Sequence, residues 1–460
     1  MSTKLRLIIL SFLQFFIWGS WLITIGAYWF QTKQWSGAEF GAIFSTMGIA
    51  SIFMPSLMGI IADKYVNAEK LYGVLHILGG VVLCTIPLVT DPGMFFWVIL
   101  LNMIFYMPTL ALSIAVSYSV LKREGLDVVK DYPPIRVWGT IGFIVAMWTV
   151  SLLGFEKSAN QFYIAAAAAV LLGVYSFTLP ACPPPSRDTP GRSLVDALGL
   201  KSFALLRDPK MLTFFLFALL LGAALQLTNA YGDTFLHDLS KTTIEPSSSI
   251  VSEGANGWNA FKQVISAVLT HPGDTLSNLA ATSPAIIMSI SQISETLFIL
   301  AIPFFLRRFG IKQVMLFSMI AWVLRFGLFA YGNLESSLWM IIVSCIVYGM
   351  AFDFFNISGS LFVETQTTSS IRASAQGLFM MMTNGFGAVL GSSVSGLVIE
   401  KYFTAADGVT KNWQGIWLAF AGYALVIAVL FVVLFKHKHN PQAVEEVEHT
   451  GPLLAASEAA

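Results

Sequence analysis

Long apolar runs separated by short polar breaks dominate the chain. Twelve runs are legible, near 7–30, 38–61, 71–90, 94–120, 136–154, 161–180, 211–236, 284–306, 312–331, 337–362, 374–399 and 414–435. Most approach or exceed the roughly 20 residues that a helix needs to cross a bilayer. None alternates apolar and polar residues as a half-buried strand does. The pattern predicts an all-α membrane protein. Lys4 and Arg6 precede the first run in the manner of a signal peptide. The run continues through Trp29 and Phe30 without a small-residue cleavage site, which predicts an uncleaved first helix.

The polar breaks predict the topology. One set of loops holds Lys4, Arg6, Lys64, Lys70, Lys122, Arg123, Lys130, Arg136, a cluster from Arg187 to Lys210, Arg307, Arg308, Lys312, Arg372, Lys436 and Lys438. The alternating set holds only Lys33, Lys157, Lys241, Lys262, Lys401 and Lys411. Positive charge collects on the cytoplasmic side, so both termini are expected there. The Pro-rich break 182–192 (CPPPSRDTPGR) divides six runs from six. The expected organisation is a six-helix bundle over 1–180, a cytoplasmic linker over 181–210 and a second bundle over 211–436. A long outer loop at 237–283 and a disordered cytoplasmic tail at 437–460 complete it. Within the outer loop, residues 257–270 are amphipathic and predict a short surface helix.

Composition agrees. Of 460 residues, 56% are hydrophobic and 11% charged, with mean hydropathy +0.72; a soluble domain carries about 25% charged residues. Net charge is zero, so no basic footprint for nucleic acid exists. Cys84 and Cys345 fall in apolar runs and Cys182 in a polar loop, so no disulfide framework is implied. The two halves repeat. IRVWGTIGF at 135–143 opens the fifth run and IRASAQGLF at 371–379 the eleventh; GIIADK at 59–64 closes the second and PFFLRRFGIK at 303–312 follows the eighth. Two six-helix repeats in parallel describe the major facilitator architecture.

Two carboxylates, Glu295 and Asp353, lie inside apolar runs, where an ionised group costs at least about 2.5–3.5 kcal/mol. Other polar groups share helix faces with each other: Gln226 with Asn229, Gln292 with Glu295, Tyr348 with Phe352 and Asn356, and Arg136 with Thr140 and Phe143. Carboxamides and carboxylates suit a ligand bearing ring nitrogens and hydroxyls, and Phe143, Tyr348 and Phe352 suit a flat ring. Plainer roles compete. Gln and Asn often only bridge membrane helices, at about 0.6 kcal/mol each. The acids have a possible structural partner in Arg325. Arg136, with its repeat counterpart Arg372, has a rival role as a gate latch against Asp63 or Asp131. Asp63, Lys64, Arg307 and Arg308 read as gate-loop charges. His76 reads as a packed side chain and the only histidine within a run. No phosphate-binding Gly-rich loop, nucleophile-and-base set, cofactor motif or metal cluster is evident.

The stretches 11–21 (SFLQFFIWGSW), 131–143 (DYPPIRVWGTIGF), 286–298 (IIMSISQISETLF), 351–360 (AFDFFNISGS) and 372–386 (RASAQGLFMMMTNGF) resemble the nucleoside:proton symporter family of the major facilitator superfamily. The resemblance covers nearly all twelve runs. It implies proton-coupled import of purine and pyrimidine nucleosides across the bacterial inner membrane; the chain is expected to act as a monomer. It also implies a cavity lined by Arg136, Thr140, Phe143, Gln226, Asn229, Gln292, Glu295, Tyr348, Phe352 and Asp353, with Glu295 and Asp353 as the proton-coupling candidates. The 239–283 loop is longer than the family's usual one. A sugar or drug transporter of the same fold, and a non-transporting nucleoside sensor, remain alternatives.

Overall fold

The computed structural model describes residues 2–126, 128–184, 200–243, 257–270, 272–334, 336–367, 372–408 and 410–437. Residues 185–192 of the Pro-rich break and nearly all of the tail therefore lie outside the described residues. The chain is helical almost throughout. Helix α1 is Thr3–Gly19, followed by a broken continuation that ends in the π-helical turn Tyr28–Lys33. Then come α2 (Gly37–Lys64), α3 (Ala68–Thr85), α4 (Pro92–Arg123), α5 (Val128–Leu152) and α6 (Asn160–Ser176). After residue 200 come α7 (Pro209–Thr243), α8 (Gly257–Thr270), α9 (Pro272–Thr282), α10 (Pro284–Tyr331) and α11 (Leu338–Gln366). The last two are α12, an interrupted helix over 372–403, and α13 (Trp413–Leu434).

Local chemistry sets several helix starts. Ser2 Oγ accepts from the Leu5 N–H, Asp91 Oδ2 from Met94 and Asn412 Oδ1 from Gly415, each satisfying an amide that the first turn leaves unbonded. α10 is 48 residues long, but Gly310 breaks it with φ 77° and ψ 168°, a conformation that suits glycine. Among the described residues nine helices are long and apolar enough to cross a membrane. Splitting α10 at Gly310, and adding α6 and the broken first pass, makes the path consistent with twelve crossings. The outward faces fit a lipid surround. On α13, Leu425, Val426, Val429, Val432 and Val433 are each about half exposed or more, a stripe that water-facing surfaces avoid.

α1 packs on α5, α2 on α4 and α3 on α6 before residue 180, and α10 packs on α11 and α13 after residue 209. The two groups meet through α2 with α12 and α5 with α10. α2 and α12 run antiparallel, and their glycines gauge the gap. A Cβ built on Gly41 would lie 2.8 Å from Gly396 Cα, and one on Gly48 2.6 Å from Gly385 O. A Cβ on Gly59 or Gly377, toward the end that bears the termini, meets nothing within 4 Å. The groups are thus pressed together at one end and parted at the other. The closed end is fastened by Trp148 Nε1 to Ser289 Oγ at 2.8 Å, the Gly37 amide to Glu400 Oε2 at 3.1 Å, and Lys411 over the Phe30 ring at 4.0 Å.

The amphipathic stretch 257–270 is the helix α8, as its period predicts, with α9 directly after it. One expectation needs correction. The seventh run does not stop at 236: α7 continues to Thr243, so His237, 2% exposed, joins His76 inside a long apolar helix. Hydropathy ends that run because His237 and Asp238 are polar, although His237 is buried. Cys182 is buried as well, its amide donating to Glu69 Oε2 at 2.8 Å and its carbonyl accepting from Ala68 at 3.0 Å. The loop is thereby strapped to the start of α3, and burial pushes the Cys182 thiol pKa up.

Candidate functional site

The polar faces singled out in the sequence lie on four helices, α5, α7, α10 and α11, and the packing turns several of them toward one place. On α11, Gly349 is the contact point with α10: a Cβ there would lie 2.6 Å from the Glu295 amide nitrogen and 2.7 Å from Ser294 O. Ser294 Oγ also donates to Ile346 O across the same contact. This close approach sets Tyr348, Phe352 and Asp353 beside Glu295. Tyr348 and Phe352 stack with centroids 6.1 Å apart and planes 11° apart, and Trp322 meets Tyr348 edge-on at 6.0 Å. The stripe predicted from i, i+4 spacing is therefore a stacked aromatic ladder.

The charges gather at the same level. Glu295 and Asp353 act on each other electrostatically, and Arg136 acts on both. Neither acid makes a salt bridge within 4.0 Å among the described residues. Asp353 is 2% exposed and its Oδ2 has no hydrogen-bond partner. Arg136 is half-buried on α5, its guanidinium 4.0 Å from the Phe15 ring centroid. Thr140 and Phe143 follow on α5 and are also half-buried. Gln226 is buried and Asn229 half-buried on α7; Gln292 is half-buried on α10. The side-chain oxygens of Gln226 and Gln292 are likewise unpartnered. An acceptor buried without a donor costs about 1–3 kcal/mol, and these three oxygens sit on α7, α10 and α11.

A shallow cleft opens beside the ladder, lined by Leu221, Gly222, Leu225, Trp322, Ala351, Phe352, Phe355, Asn356, Thr383 and Asn384. Phe352 and Asn356 were anticipated. Thr383 and Asn384 were not, although they sit in 372–386, one of the stretches that carried the family resemblance. They lie in the π-helical turn Met381–Gly387 of α12, a local widening common at functional sites. The available signal was an Asn-Gly pair inside an apolar run.

Arg325 does not pair with the embedded acids. Its Nη1 donates to Ser344 O at 2.7 Å and its Nε to Thr228 Oγ1 at 3.2 Å, and its guanidinium lies 4.6 Å from the Tyr348 ring centroid. It ties α7, α10 and α11 together behind the aromatic ladder. His76 is packed: its Nε2 is 2.9 Å from Gln14 Oε1, which also accepts from Tyr72 OH at 2.6 Å. Asp131 pairs with Lys4 at 2.6 Å. The side chains of Asp63 and Arg372, the other latch candidates, lie outside the described residues. Glu156, Asp233 and His237 form a separate buried cluster near the closed end, which the sequence reading did not single out.

Comparison with known proteins matches residues 1–440 to the family described as Nucleoside H+ symporter. The nucleoside permease NupG of Escherichia coli is 49% identical over 98% of this chain and 100% of its own length. The xanthosine permease of the same organism is 50% identical over 97% of this chain and 99% of its own. The crystal structure of the nucleoside transporter NupG superposes with a TM-score of 0.82, covering 95% of this chain and 100% of that one.

Proposed function

The chain belongs to the nucleoside H+ symporter family, and from that premise we propose that it imports nucleosides together with protons by alternating access. It is a multi-pass membrane transporter of a bacterial family. In this reading it acts as a monomer in the inner membrane, with both termini in the cytoplasm. Residues 1–180 and 211–436 are the two rocking halves, joined by the 181–210 linker. The Lys/Arg bias supports this orientation. The tight Gly41–Gly396 contact then faces outward, and in this reading the structure is closed to the outside.

The observation that carries the reading is the site's combination of stacked rings and unpartnered acceptors. Phe143, Tyr348 and Phe352 offer faces for a flat base. Gln226, Asn229, Gln292 and Asn356 offer carboxamides that donate and accept in pairs to ring nitrogens and ribose hydroxyls, with Thr140 and Arg136 adding donors. Glu295 and Asp353 supply proton coupling. With Arg136 the trio carries one carboxylate in excess, so one proton brings it to neutrality, and a neutral site is easier to bury as the halves close. Proton release to the cytoplasm restores the charge and readies the carrier to return. The test is uptake of radiolabelled uridine and adenosine into proteoliposomes, with and without an inward proton gradient. Gradient-dependent accumulation, competed by nucleosides and not by free sugars, is expected. Accumulation indifferent to the gradient, or competed by sugars alone, overturns the proposal.

A further inference from the structure

At the closed end a second cluster of ionisable groups bridges the halves, one to two helical turns along α7 from the cavity residue Asn229. Glu156 lies in the turn after α5; Asp233 and His237 lie one helical turn apart on α7. All three are at least nine-tenths buried. Their candidate ligand atoms lie within 4.8 Å of one another. His237 Nε2 is 2.9 Å from Glu156 Oε2 and 3.6 Å from Asp233 Oδ2. Glu156 Oε1 is held by the Ala285 amide at 3.3 Å, which leaves Oε2 free to face the cluster.

An ordinary hydrogen-bonded ion triad would place an oxygen along the imidazole N–H. Here His237 Nε2 and Glu156 Oε2 stand at ion-pair distance but off the N–H axis, while His237 Nδ1 and both Asp233 oxygens have no hydrogen-bond partner among the described residues. Two carboxylate oxygens instead flank one nitrogen off its axis. For metal bonds of about 2.0–2.1 Å, tetrahedral ligands sit about 3.3 Å from each other; the two separations to Nε2 bracket that edge. Two carboxylates and one imidazole with an open fourth position for water form a donor set suited to a divalent transition cation. Lys157 is exposed and its charge acts on this cluster against a cation; two carboxylates outweigh it.

We propose that Glu156, Asp233 and His237 form a zinc-class site that the two halves complete only when this end is shut. Glu156 comes from one half and Asp233 and His237 from the other, so the open end breaks the site. The metal then binds one conformation preferentially and holds it. At about a hundredfold excess over its dissociation constant, it shifts the closed-to-open ratio by about a hundredfold and slows nucleoside cycling. The binding claim is independent of the transport reading, because it is measured without substrate.

The experiment uses the full chain in detergent, freed of metal by a chelator, and titrates Zn²⁺ by calorimetry and Co²⁺ by its visible absorption. One saturable Zn²⁺ per chain and a tetrahedral Co²⁺ spectrum are expected. His237→Ala, and independently Glu156→Gln, which leaves α7 intact, should each weaken binding by at least about tenfold. Zn²⁺ added to the outside of proteoliposomes should inhibit uptake reversibly in the parent protein and not in Glu156→Gln. No stoichiometric binding in the parent protein, or binding and inhibition unchanged in both variants, overturns the proposal; nucleoside uptake without metal would then still stand.

Discussion

Replacing Gly349 with alanine tests how the site is assembled. The added Cβ would lie 2.6 Å from Glu295 N, 2.6 Å from Ser294 C and 2.7 Å from Ser294 O, all of them backbone atoms. Ordinary contact begins near 3.4 Å, so α10 and α11 must part by about 0.8 Å, and no flexible side chain is available to yield. Overpacking of this kind costs about 1–3 kcal/mol, more than the roughly 0.4–1 kcal/mol that Gly→Ala returns through the unfolded chain. The parting moves Tyr348, Phe352 and Asp353 away from Glu295 and lengthens hydrogen bonds that one ligand makes to both helices. Weakening by about 1.4 kcal/mol is a tenfold loss of affinity. Calorimetric uridine binding to purified protein, with thermal unfolding in parallel, reads both effects. Gly422→Ala on α13, where an added Cβ meets nothing within 4 Å, is the control and should bind as the parent does. Parent-like affinity and stability in Gly349→Ala would refute the claim that this contact positions the site.

Other consequences are as direct. Asn384→Ala removes a carboxamide from the cleft wall at a position chosen by structure alone, and should weaken nucleoside binding by about 1 kcal/mol, five- to tenfold, with folding unchanged. Gly41→Leu places a bulky group against Gly396 and should hold the outer end open; protease or cysteine-accessibility mapping would report greater exposure of that end and slower uptake. Raised by burial, the Cys182 thiol is short of thiolate near neutral pH. Its maleimide labelling should therefore be slow at pH 7, rise as pH is raised, and become fast on unfolding.

The membrane class was legible because lipid-facing helices must be apolar from end to end, and the amphipathic α8 was legible from its period. The polar faces were legible for the same reason: Glu295, Asp353, Gln226 and Gln292 stand out only against an apolar background. What periodicity misses is conformation. The π turn that presents Thr383 and Asn384 leaves no hydropathic trace, and the Gly349 contact is one small residue among many. His237 falls outside the 211–236 run because polarity ends a hydropathy window whether the side chain meets water or a buried partner. Cys182 does lie in a loop, but a neighbouring run of prolines says nothing about the Glu69 carboxylate that holds its amide.

Two embedded acids exchanging a proton with an aqueous pathway are the centre of the account. The most direct measurement is uridine accumulation driven by an inward proton gradient in proteoliposomes containing Asp353→Asn or Glu295→Gln, beside the parent protein. At least one variant, and on the present reading both, should lose gradient-driven accumulation. Accumulation at the parent's level in both would contradict the account.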